Sequence, residues 1–447
     1  MFFSKSIKID IKCQGFIANE ISFSPDKTSS VIEFVDSNKS QENACPFCFS
    51  KAHIFDYSTV LLKDMPIWMN VETILSVNRP RYQCTKCGKK FSKEIPFKYP
   101  GTRITHRAAS WIKGFLRAKI SISSIQGLTG IHWGTIRKVQ EEIIEEALLE
   151  RRQEIELSGY TPKFLAVDEF ALHKGHSYAT CVMDLETGDV LWVGQGRAIA
   201  DFEKFFQETS PDFLTNVMAV AMDMNASYNR LVEKYLPHAK IVYDRYHIQA
   251  QFGKDVLGVV RLEEARKHKL NADEILANIT ADTDKEKLRE LKLQAKDEKS
   301  QYSRLKTSRW KLLRNRAKMS PAGQDKLDNI LEQHEQLAIC YAMKEQLSRL
   351  FESRCFEQSL EDWQEWFDAA KASNIPALVR FASLKEKRIL GLASHALFPI
   401  HTGKLEGFNN KIKVAKRIAY GYRNLDYFFN LIRYLSLPSV RLSPRNP

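Results

Sequence analysis

The sequence predicts an α/β domain that is interrupted by a large all-α insertion and preceded by two small N-terminal domains. Three observations carry this prediction. Residues 163–247 alternate between apolar β-type runs and helical periods, residues 248–395 are rich in Leu, Glu, Lys, Arg and Gln, and two CxxC pairs occur before residue 100. A chain of 447 residues is long for one hydrophobic core, so about two to four domains are expected.

The composition is that of a globular protein with a surplus of basic residues. Hydrophobic residues make up 44% of the chain, charged residues 27%, and the formal net charge is +13. This charge favours a polyanionic partner, because counterions are released when Lys and Arg neutralise phosphates. No apolar stretch reaches the roughly 18 residues of a membrane span, and the start MFFSKSIKIDIKC lacks the apolar core of a secretory signal. We therefore expect neither export nor a membrane partner.

Residues 1–100 are predicted to hold an N-terminal β region, with β-type runs at 6–13 and 30–35, and a zinc-binding domain. The two-residue spacing of a CxxC pair lets one tight turn present both sulfurs to a tetrahedral ion. The 35 residues between the pairs exceed the usual spacing of about 15–20, so a small β insertion is expected there. The predicted structural Zn²⁺ ligands are Cys45, Cys48, Cys84 and Cys87.

Residues 101–157 are predicted to form a helix-turn-helix domain. A helical period begins at Thr105, a second short helix can start at Ser123, and Gly130 marks a turn before the third helix. In this pattern the second helix of the motif enters the major groove of DNA. The candidate contact residues at that position are His132, Thr135, Arg137 and Lys138.

A plain helical linker is the alternative for these residues. Gln126 stands where such motifs usually have a small residue, and Thr129 where an apolar residue is common.

Residues 158–247 and 396–447 are predicted to form the α/β domain, and residues 248–395 the helical insertion. Lys174-Gly175 and Thr187-Gly188 are turn signals between the first strands. The predicted strands are 163–168, 177–183, 189–195, 216–222 and 240–243, and the predicted helices are 200–214 and 226–236. A three-strand meander followed by helix, strand, helix, strand is the order of a ribonuclease H-like domain, in which the first and fourth strands are central neighbours.

Three carboxylates are candidates for a catalytic metal site. Asp168 in KFLAVDEF and Asp223 in VMAVAMDMN each end an apolar strand, and Glu406 opens a basic helical stretch. Two aspartates on neighbouring strands would repel each other unless a cation lay between them. Mg²⁺ (or Mn²⁺) is the natural choice for hard oxygen ligands, and such sites serve phosphodiester chemistry.

Two residues near the fifth strand are accessory candidates. Asp244 is the competing second ligand, and with His247 it forms a D-x-x-H pair. The alternative is an aspartate that caps the next helix, with the histidine one turn along. Glu169 is expected to point to the other side of its strand and to be structural.

Basic residues mark two further candidate DNA contacts. On a helix, Glu406, Asn409 or Asn410, Lys413 and Lys416 or Arg417 would share one face. Residues 304–318 carry seven basic residues and no acidic one, and either contact phosphates or form a solvated basic face. The candidates in that segment are Arg309, Trp310, Lys311 and Arg314, with the indole available to stack on a base.

Three stretches of the chain resemble the DDE transposases of bacterial insertion sequences, in the ISL-three (ISL3) group. They are VDEFALHKGHSYATCVMD, MAVAMDMNASYNRLVEKYLPHAKIVYDRYHI and GKLEGFNNKIKVAKRIAYGYRN. The resemblance implies that Asp168, Asp223 and Glu406 are the metal-binding triad of a ribonuclease H-like domain. It also implies that the zinc and helix-turn-helix regions bind the terminal inverted repeats of the element, and that Asp244 and His247 match a shared accessory motif.

A transposase would act on its element's ends and on target DNA in the bacterial cytoplasm, associated with the nucleoid. Work on two DNA ends implies at least a homodimer. Two alternatives stay open. A regulator derived from a transposase would bind DNA without cleaving it, and a metal-dependent nuclease of the host would cleave without joining strands.

Overall fold

The computed structural model describes residues 15–37, 43–68, 71–173, 177–280, 284–419 and 421–441. The predicted run 6–13 and the predicted turn at Lys174-Gly175 lie outside these residues. The chain divides into two compact units, one comprising Met1–Glu150 with Lys416–Asn430 and the other Arg151–Ala415 with Leu431–Pro447. No helix in the described part of the chain is long and apolar enough to cross a membrane.

The first unit contains a sheet with the strand order β1-β2-β5-β4-β3, and β6 pairs with β5. The strands are β1 (Phe16–Phe23), β2 (Ser29–Asp36), β3 (Asn43–Ala44), β4 (Lys51–Trp68), β5 (Val71–Cys84) and β6 (Lys90–Ser92). Because alternate side chains of β5 are buried, one face of the sheet packs on the core formed with Phe34 and Leu62. The long pair β4–β5 is the β insertion predicted between the CxxC pairs, and the run at 30–35 lies in β2.

Three helices follow: α1 (His106–Arg117), α2 (Ile122–Thr129) and α3 (Trp133–Ser158). Only α3 extends past Glu150, the residue at which this part of the first unit ends. The helical period begins at Thr105 as the sequence predicted, and the Thr105 side chain caps α1. The cap of α2 is Ser121 rather than Ser123, because Ser121 has the extended backbone that a cap requires and its Oγ accepts from the Ser124 N–H at 3.1 Å. Gly130 ends α2 in the left-handed conformation, with φ of 61°.

The second unit contains a five-stranded sheet with the order β11-β10-β7-β8-β9. Its strands are β7 (Phe164–Ala171), β8 (Tyr178–Asp184), β9 (Val190–Gln195), β10 (Ala219–Met222) and β11 (Lys240–Tyr243), and the helices between them are α4 (Ile199–Glu208), α5 (Pro211–Leu214) and α6 (Ala226–Tyr235). The first three strands form an antiparallel meander, and β10 lies parallel between β7 and β11. The predicted element order and the central pairing of the first and fourth strands are confirmed.

Several boundaries differ from the prediction. The fourth strand begins at Ala219 rather than at residue 216, and the predicted helix 200–214 is divided into α4 and α5. The first strand continues to Ala171, so Asp168 lies inside β7 rather than at its end. The reason is that the two neighbours of β7 pair with it over different lengths. The β10 pairing ends at Val167, whereas the β8 pairing continues to Ala171.

The described residues between β11 and residue 396 form helices and turns without a strand. The helices are α7 (Arg245–Phe252), a π-helical turn (Gly253–Leu257), α8 (Gly258–Ala277), α9 (Lys285–Thr307), α10 (Arg309–Leu313), α11 (Pro321–Leu331), α12 (Glu335–Leu350), α13 (Phe356–Ala372), α14 (Pro376–Glu386) and α15 (Ile389–Ala393), with short 3₁₀ turns at Arg316–Lys318 and Ser394–Ala396. The chain ends with α16 (Gly403–Ile418), α17 (Leu425–Ser436) and α18 (Pro438–Arg441).

The helical segment packs on the edge strand β11 and shares a core with it. Tyr243 of β11 lies in one buried cluster with Phe252, Trp363 and Phe381 of the helices. Gly391 lies so close to the Tyr243 ring that a Cβ atom would come within 2.3 Å of a ring carbon. This packing brings α7 and α14 to the side of the sheet on which β10 and β11 lie.

Candidate functional site

The four cysteines of the two CxxC pairs form one cluster in the first unit. Their sulfur atoms all lie within 4.8 Å of one another. The Sγ atoms of Cys45 and Cys87 are 3.7 Å apart, and those of Cys48 and Cys84 are 3.5 Å apart. Zn–S bonds of about 2.3 Å place tetrahedral sulfurs about 3.8 Å apart, so this cluster fits a zinc ion.

Backbone amides favour the thiolate form of two of these cysteines, Cys48 and Cys84. The N–H groups of Lys86 and Cys87 donate to the Cys84 sulfur at 3.3 and 3.4 Å. A backbone hydrogen bond at Ser50 lowers the pKa of Cys48 to about 6. Both effects stabilise the deprotonated form that binds a metal.

In the second unit, the pairing of β7 with β10 brings two aspartates to neighbouring positions. Met222 pairs with Val167, and Asp223 and Asp168 are the residues that follow each. Asp168 is half-buried, and this burial raises the pKa of its carboxyl group to about 6. The charge of Asp223 raises it further, while His247 lowers it. The carboxylates therefore lie close enough to repel each other, as expected for a site that binds a cation.

The helix α16 is hydrogen-bonded to this edge of the sheet. Nδ2 of Asn409 donates to Oδ2 of Asp168 at 2.8 Å. Of the two asparagines that the sequence offered for this face, the structure selects Asn409. Asn409 is buried, and its Oδ1 has no hydrogen-bond partner among the described residues. An unpartnered amide oxygen beside a carboxylate is a potential ligand for a hard cation or for its water.

Asp244 serves as a structural anchor. Its Oδ1 accepts from the N–H groups of Tyr246 and His247 and so caps α7, and its Oδ2 accepts from both N and Oγ1 of Thr402 at 2.7 Å. Asp244 is buried, and although burial raises its pKa, the hydrogen bonds from Thr402 lower it below the usual value. Both oxygens already accept two hydrogen bonds, so the geometry favours the capping alternative over a metal ligand.

Glu406 lies on α16 between two residues that bond to the sheet domain: Thr402, which donates to Asp244, and Asn409, which donates to Asp168. Thr402, Glu406 and Asn409 are spaced i, i+4 and i+7, so they share one face of the helix. Glu406 itself is exposed. Within the described ranges, the cysteine cluster is the one group of three or more His, Cys, Asp or Glu side chains whose ligand atoms lie within 4.8 Å of one another. The three candidate carboxylates are therefore less tightly grouped than the thiols.

Two further polar residues near the aspartates are Glu169 and His247. Oε1 of Glu169 accepts from Nδ2 of Asn225 at 3.2 Å, and Oε2 lies 3.9 Å from the Arg197 guanidinium. Since Asn225 also caps α6, Glu169 braces the loop that carries Asp223. The ring nitrogen Nδ1 of His247 is 3.8 Å from Asp244 and has no hydrogen bond within the described part of the chain.

The sequence interpretation missed Thr402 and Lys385. Thr402 carries no recognisable motif, although its place directly before a helix is one where a Thr hydroxyl is common. Lys385 lies on α14, where its Nζ is 3.3 Å from Sδ of Met224, the residue after Asp223. No local pattern in the sequence indicates this approach, because it depends on how the helical segment packs.

Comparisons with known proteins identify the family of the chain. A family described as "Transposase", the ISL3 family of DDE enzymes, matches residues 165–432, and a family described as "zinc-finger of transposase IS204/IS1001/IS1096/IS1165" matches residues 41–87. The chain is 30% identical over 391 residues to the transposase for insertion sequence element IS1001 from Bordetella parapertussis, which covers 87% of each chain. The chain belongs to the ISL3 group of DDE transposases.

More distant relatives agree. The transposase for insertion sequence element IS1557 from two strains of Mycobacterium tuberculosis, CDC 1551 / Oshkosh and ATCC 25618 / H37Rv, is 22% identical over 385 residues, or 85% of this chain and 82% of the relative. This transposase is thus an enzyme that cleaves and transfers DNA strands, with a divalent metal in its catalytic domain and a zinc ribbon near its N-terminus.

The candidate DNA contacts of the transposase around α3 have mixed environments. His132 is exposed, and its Nδ1 accepts from the N–H of Gly134 at the start of the helix. Thr135 is half-buried, and Lys138 donates to the carbonyl of Pro100 at 2.9 Å. Of these residues, His132 has the most accessible side chain.

Arg137 is held inside the unit. Its guanidinium pairs with Glu141 at 3.0 Å and lies over the Tyr427 ring at 4.2 Å. The acidic residues that follow in α3 have partners as well, since Glu146 pairs with Lys113 and Glu142 accepts from the Tyr99 hydroxyl. Removing Arg137 would therefore disturb packing as well as any DNA contact.

The structure explains why a polar residue, Thr129, occupies a position where helix-turn-helix motifs commonly have an apolar one. Its buried hydroxyl donates to the carbonyl of Ile125 at 2.7 Å and accepts from the N–H of Ile131 at 3.2 Å. A polar side chain is satisfied at this core position because it bonds the backbone on both sides of the turn.

Two buried cations, Arg261 and Lys344, form hydrogen bonds with the backbone of the basic segment 304–318. Nη1 of Arg261 donates to the carbonyls of Leu305 and Lys306, and Nζ of Lys344 donates to those of Leu312 and Arg314. These bonds satisfy carbonyl groups at the ends of α9 and α10. The candidate contact side chains Arg309, Trp310, Lys311 and Arg314 are all exposed, Trp310 to 70%.

The cations of α16 are partly accessible. Lys413 is exposed, with its Nζ 3.2 Å from Oδ1 of Asn410, and Arg417 is exposed. Lys416 is half-buried, and burial lowers its pKa.

Proposed function

We propose that this transposase cuts and joins DNA at a site formed by Asp168, Asp223 and Glu406 in a ribonuclease H-like domain. One observation carries the proposal. The register of β7 with β10 makes the two aspartates neighbours, and α16, which bears Glu406, bonds to one of them through Asn409. The strand order β11-β10-β7-β8-β9 supports the ribonuclease H-like assignment.

The donor set fits Mg²⁺ (or Mn²⁺). It consists of hard oxygens, namely the carboxylates and the unpartnered Oδ1 of Asn409. The raised pKa of Asp168 also fits, because a bound cation would offset the loss of hydration that disfavours its ionised form. When bound, the divalent cations supply activation of water and then of a 3′-hydroxyl, and stabilise the departing oxygen.

The residues of the chain position the reaction. Asn409 orients Asp168, and Asp244 fixes the start of α16 through Thr402. Both contacts restrict the position of Glu406, which lies between them on the helix. Such positioning lowers the barrier because the reacting groups need no further ordering. His247, near both Asp168 and Asp244, is proposed as an accessory residue.

For DNA recognition, we propose that the zinc ribbon and a helix-turn-helix formed by α2 and α3 bind the terminal inverted repeats. The segment 304–318 and the cations of α16 would then contact backbone phosphates of the ends or of target DNA. The exposed Trp310 is suited to stack on an unpaired base. The active complex is proposed to contain at least two copies of the chain, since two DNA ends are processed together, and to work in the nucleoid of a bacterial cytoplasm.

The decisive experiment measures cleavage and strand transfer on a duplex that carries one terminal repeat of the element. With Mg²⁺, Asp168→Asn, Asp223→Asn and Glu406→Gln should each lose about 10³-fold or more in rate, because each removes a charge from the metal site. The matched control is Glu169→Gln, an acidic neighbour bonded to Asn225, which should retain activity within about tenfold.

The regulator interpretation predicts a different result. A DNA-binding derivative without catalysis would bind the repeat with no metal-dependent nicking by the wild type. Equal activity of wild type and Asp168→Asn would exclude the proposed site, and cleavage without a strand-transfer product would favour a nuclease.

A further inference from the structure

Lys385 is a cation of the helical segment that reaches the loop of the second aspartate. It lies in the last turn of α14 and is half-buried. Its Nζ donates to Oε1 of Gln251 on α7 and lies 3.3 Å from Sδ of Met224. Met224 follows Asp223 directly, and its backbone N–H donates to Asp223 Oδ1 at 2.7 Å. The ammonium group therefore lies beside the Asp223 end of the proposed site.

The direct partners of this ammonium group do not neutralise it. An amide oxygen and a thioether sulfur are uncharged, and no carboxylate oxygen of the described residues lies within 4.0 Å of Nζ. Burial lowers the pKa of Lys385, whereas the more distant carboxylates of Asp223 and Asp255 raise it. A cation that is partly removed from water without a paired anion destabilises the fold. Its position therefore points to a ligand that brings negative charge.

We propose that Lys385 binds a non-bridging phosphate oxygen of the DNA strand that enters the Asp223 end of the catalytic site. This inference rests on the function proposed for that site. An ammonium group is a compact charge that binds phosphate well, and a phosphodiester is the anion that the substrate of a transposase carries. The helical segment would thus supply a substrate contact to the active site, in addition to its exposed basic surface at 304–318.

A purely structural role would have opposite consequences. If Lys385 served only to offset the charge of Asp223, a neutral variant would be less stable without DNA. If it is kept for DNA, a neutral variant should be at least as stable without DNA and should bind DNA more weakly. A structural role therefore predicts a lower unfolding temperature for the neutral variant of the full-length protein. A role in DNA binding predicts an unchanged or higher unfolding temperature together with weaker DNA binding.

The test uses full-length protein and a duplex with one terminal repeat, in Ca²⁺ to limit cleavage. Lys385→Gln should weaken binding about tenfold or more and lower the slope of log affinity against log salt by about one. The matched control is Lys387→Gln, an exposed lysine two residues along, which should change neither quantity measurably.

Neutral methylphosphonates, placed one at a time around the cleavage point, identify the phosphate. At one position the substitution should weaken binding by wild type but not further weaken binding by Lys385→Gln. Equal sensitivity of both proteins at every position would overturn the proposal. A Lys385→Gln protein that is less stable than wild type without DNA would also count against the proposal, and Lys385→Met at the same position checks that such a loss is not specific to glutamine. If the proposed function itself were wrong, the result would be different: Asp168→Asn would cleave DNA like wild type, whatever the result for Lys385.

Discussion

The zinc cluster of this transposase and the catalytic site proposed for it differ in how completely the protein assembles them. In the zinc ribbon, four sulfurs lie within 4.8 Å of one another, and backbone amides already donate to them. In the catalytic domain, two aspartates are neighbours, while Glu406 is exposed on a helix anchored on either side of it. The first site has its full ligand set in short turns, whereas the second is held together by hydrogen bonds between distant elements.

The difference follows from what each site does. A structural zinc ion needs four protein ligands and no open position. A catalytic cation in phosphoryl chemistry must leave positions for water and for phosphate oxygens, so its protein ligands are fewer and farther apart. The proposed catalytic site would therefore depend on positioning residues such as Asp244, which the zinc site does not require.

The largest expected effect is at the zinc cluster. Cys84→Ser should abolish zinc binding, because structural zinc contributes about 10–16 kcal/mol of binding free energy that is available only to the folded site. Metal content should fall by one equivalent, and limited proteolysis should cut within residues 49–83. The control Cys355→Ser removes an exposed thiol and should retain the zinc. Full zinc content in Cys84→Ser would remove the contrast between the two sites.

The anchor of α16 provides the next largest effect. In Asp244→Asn, the amide oxygen can still cap α7, but the amide nitrogen would face the donors of Thr402. We expect a loss of about 2–4 kcal/mol in the free energy of unfolding, together with a cleavage rate reduced about tenfold or more because Glu406 is less well positioned.

The control for this variant is Asp284→Asn, an exposed cap of α9 whose carboxylate accepts from the Glu286 N–H and from no other described residue. It should change stability by less than about 0.5 kcal/mol. Cleavage at the wild-type rate by a folded Asp244→Asn protein would show that the contact between Asp244 and Thr402 does not position Glu406.

Asp168→Asn should stabilise the metal-free protein, whereas Cys84→Ser should lose its zinc. The pKa of Asp168 is raised to about 6 by burial, so the favourable protonated form is present below about pH 4 and is lost as the pH rises through about 6. At pH 8 the variant should gain about 1–3 kcal/mol in the free energy of unfolding, and the gain should vanish near pH 4.

The measurement is thermal unfolding in chelator across pH 4–8. Added Mg²⁺ should then raise the unfolding midpoint of wild type more than that of Asp168→Asn, since ligand binding stabilises the state that binds it. A variant less stable than wild type at pH 8 would contradict the burial argument.

The smallest effect should come from Thr402→Val. This change removes the hydroxyl bond to Asp244 but leaves the backbone N–H bond at 2.7 Å. A loss of about 1 kcal/mol in the free energy of unfolding is expected. Thr215→Val, which removes an exposed hydroxyl, is the control. Equal changes in the two variants would indicate that the hydroxyl bond to Asp244 adds no stability.

Local patterns predicted much of the fold. The spacing of Cys45, Cys48, Cys84 and Cys87 was sufficient for the zinc cluster, because each pair needs only one tight turn. The alternation in residues 163–243 was sufficient for the strands of the second unit, because period and turn residues are local properties. Local patterns placed the end of the first strand of this sheet too early, because its pairing with β8 continues to Ala171.

What the sequence determined by itself is the set of chemical groups: the thiols, the three carboxylates, the basic segments and the family to which they belong. Only the tertiary structure decided that Asn409 bonds to Asp168, that Asp244 anchors Thr402, and that Lys385 approaches Asp223 from an inserted helix. These contacts join residues far apart in the chain. They depend on strand register and on the packing of helices against a sheet edge, which no short stretch of sequence encodes.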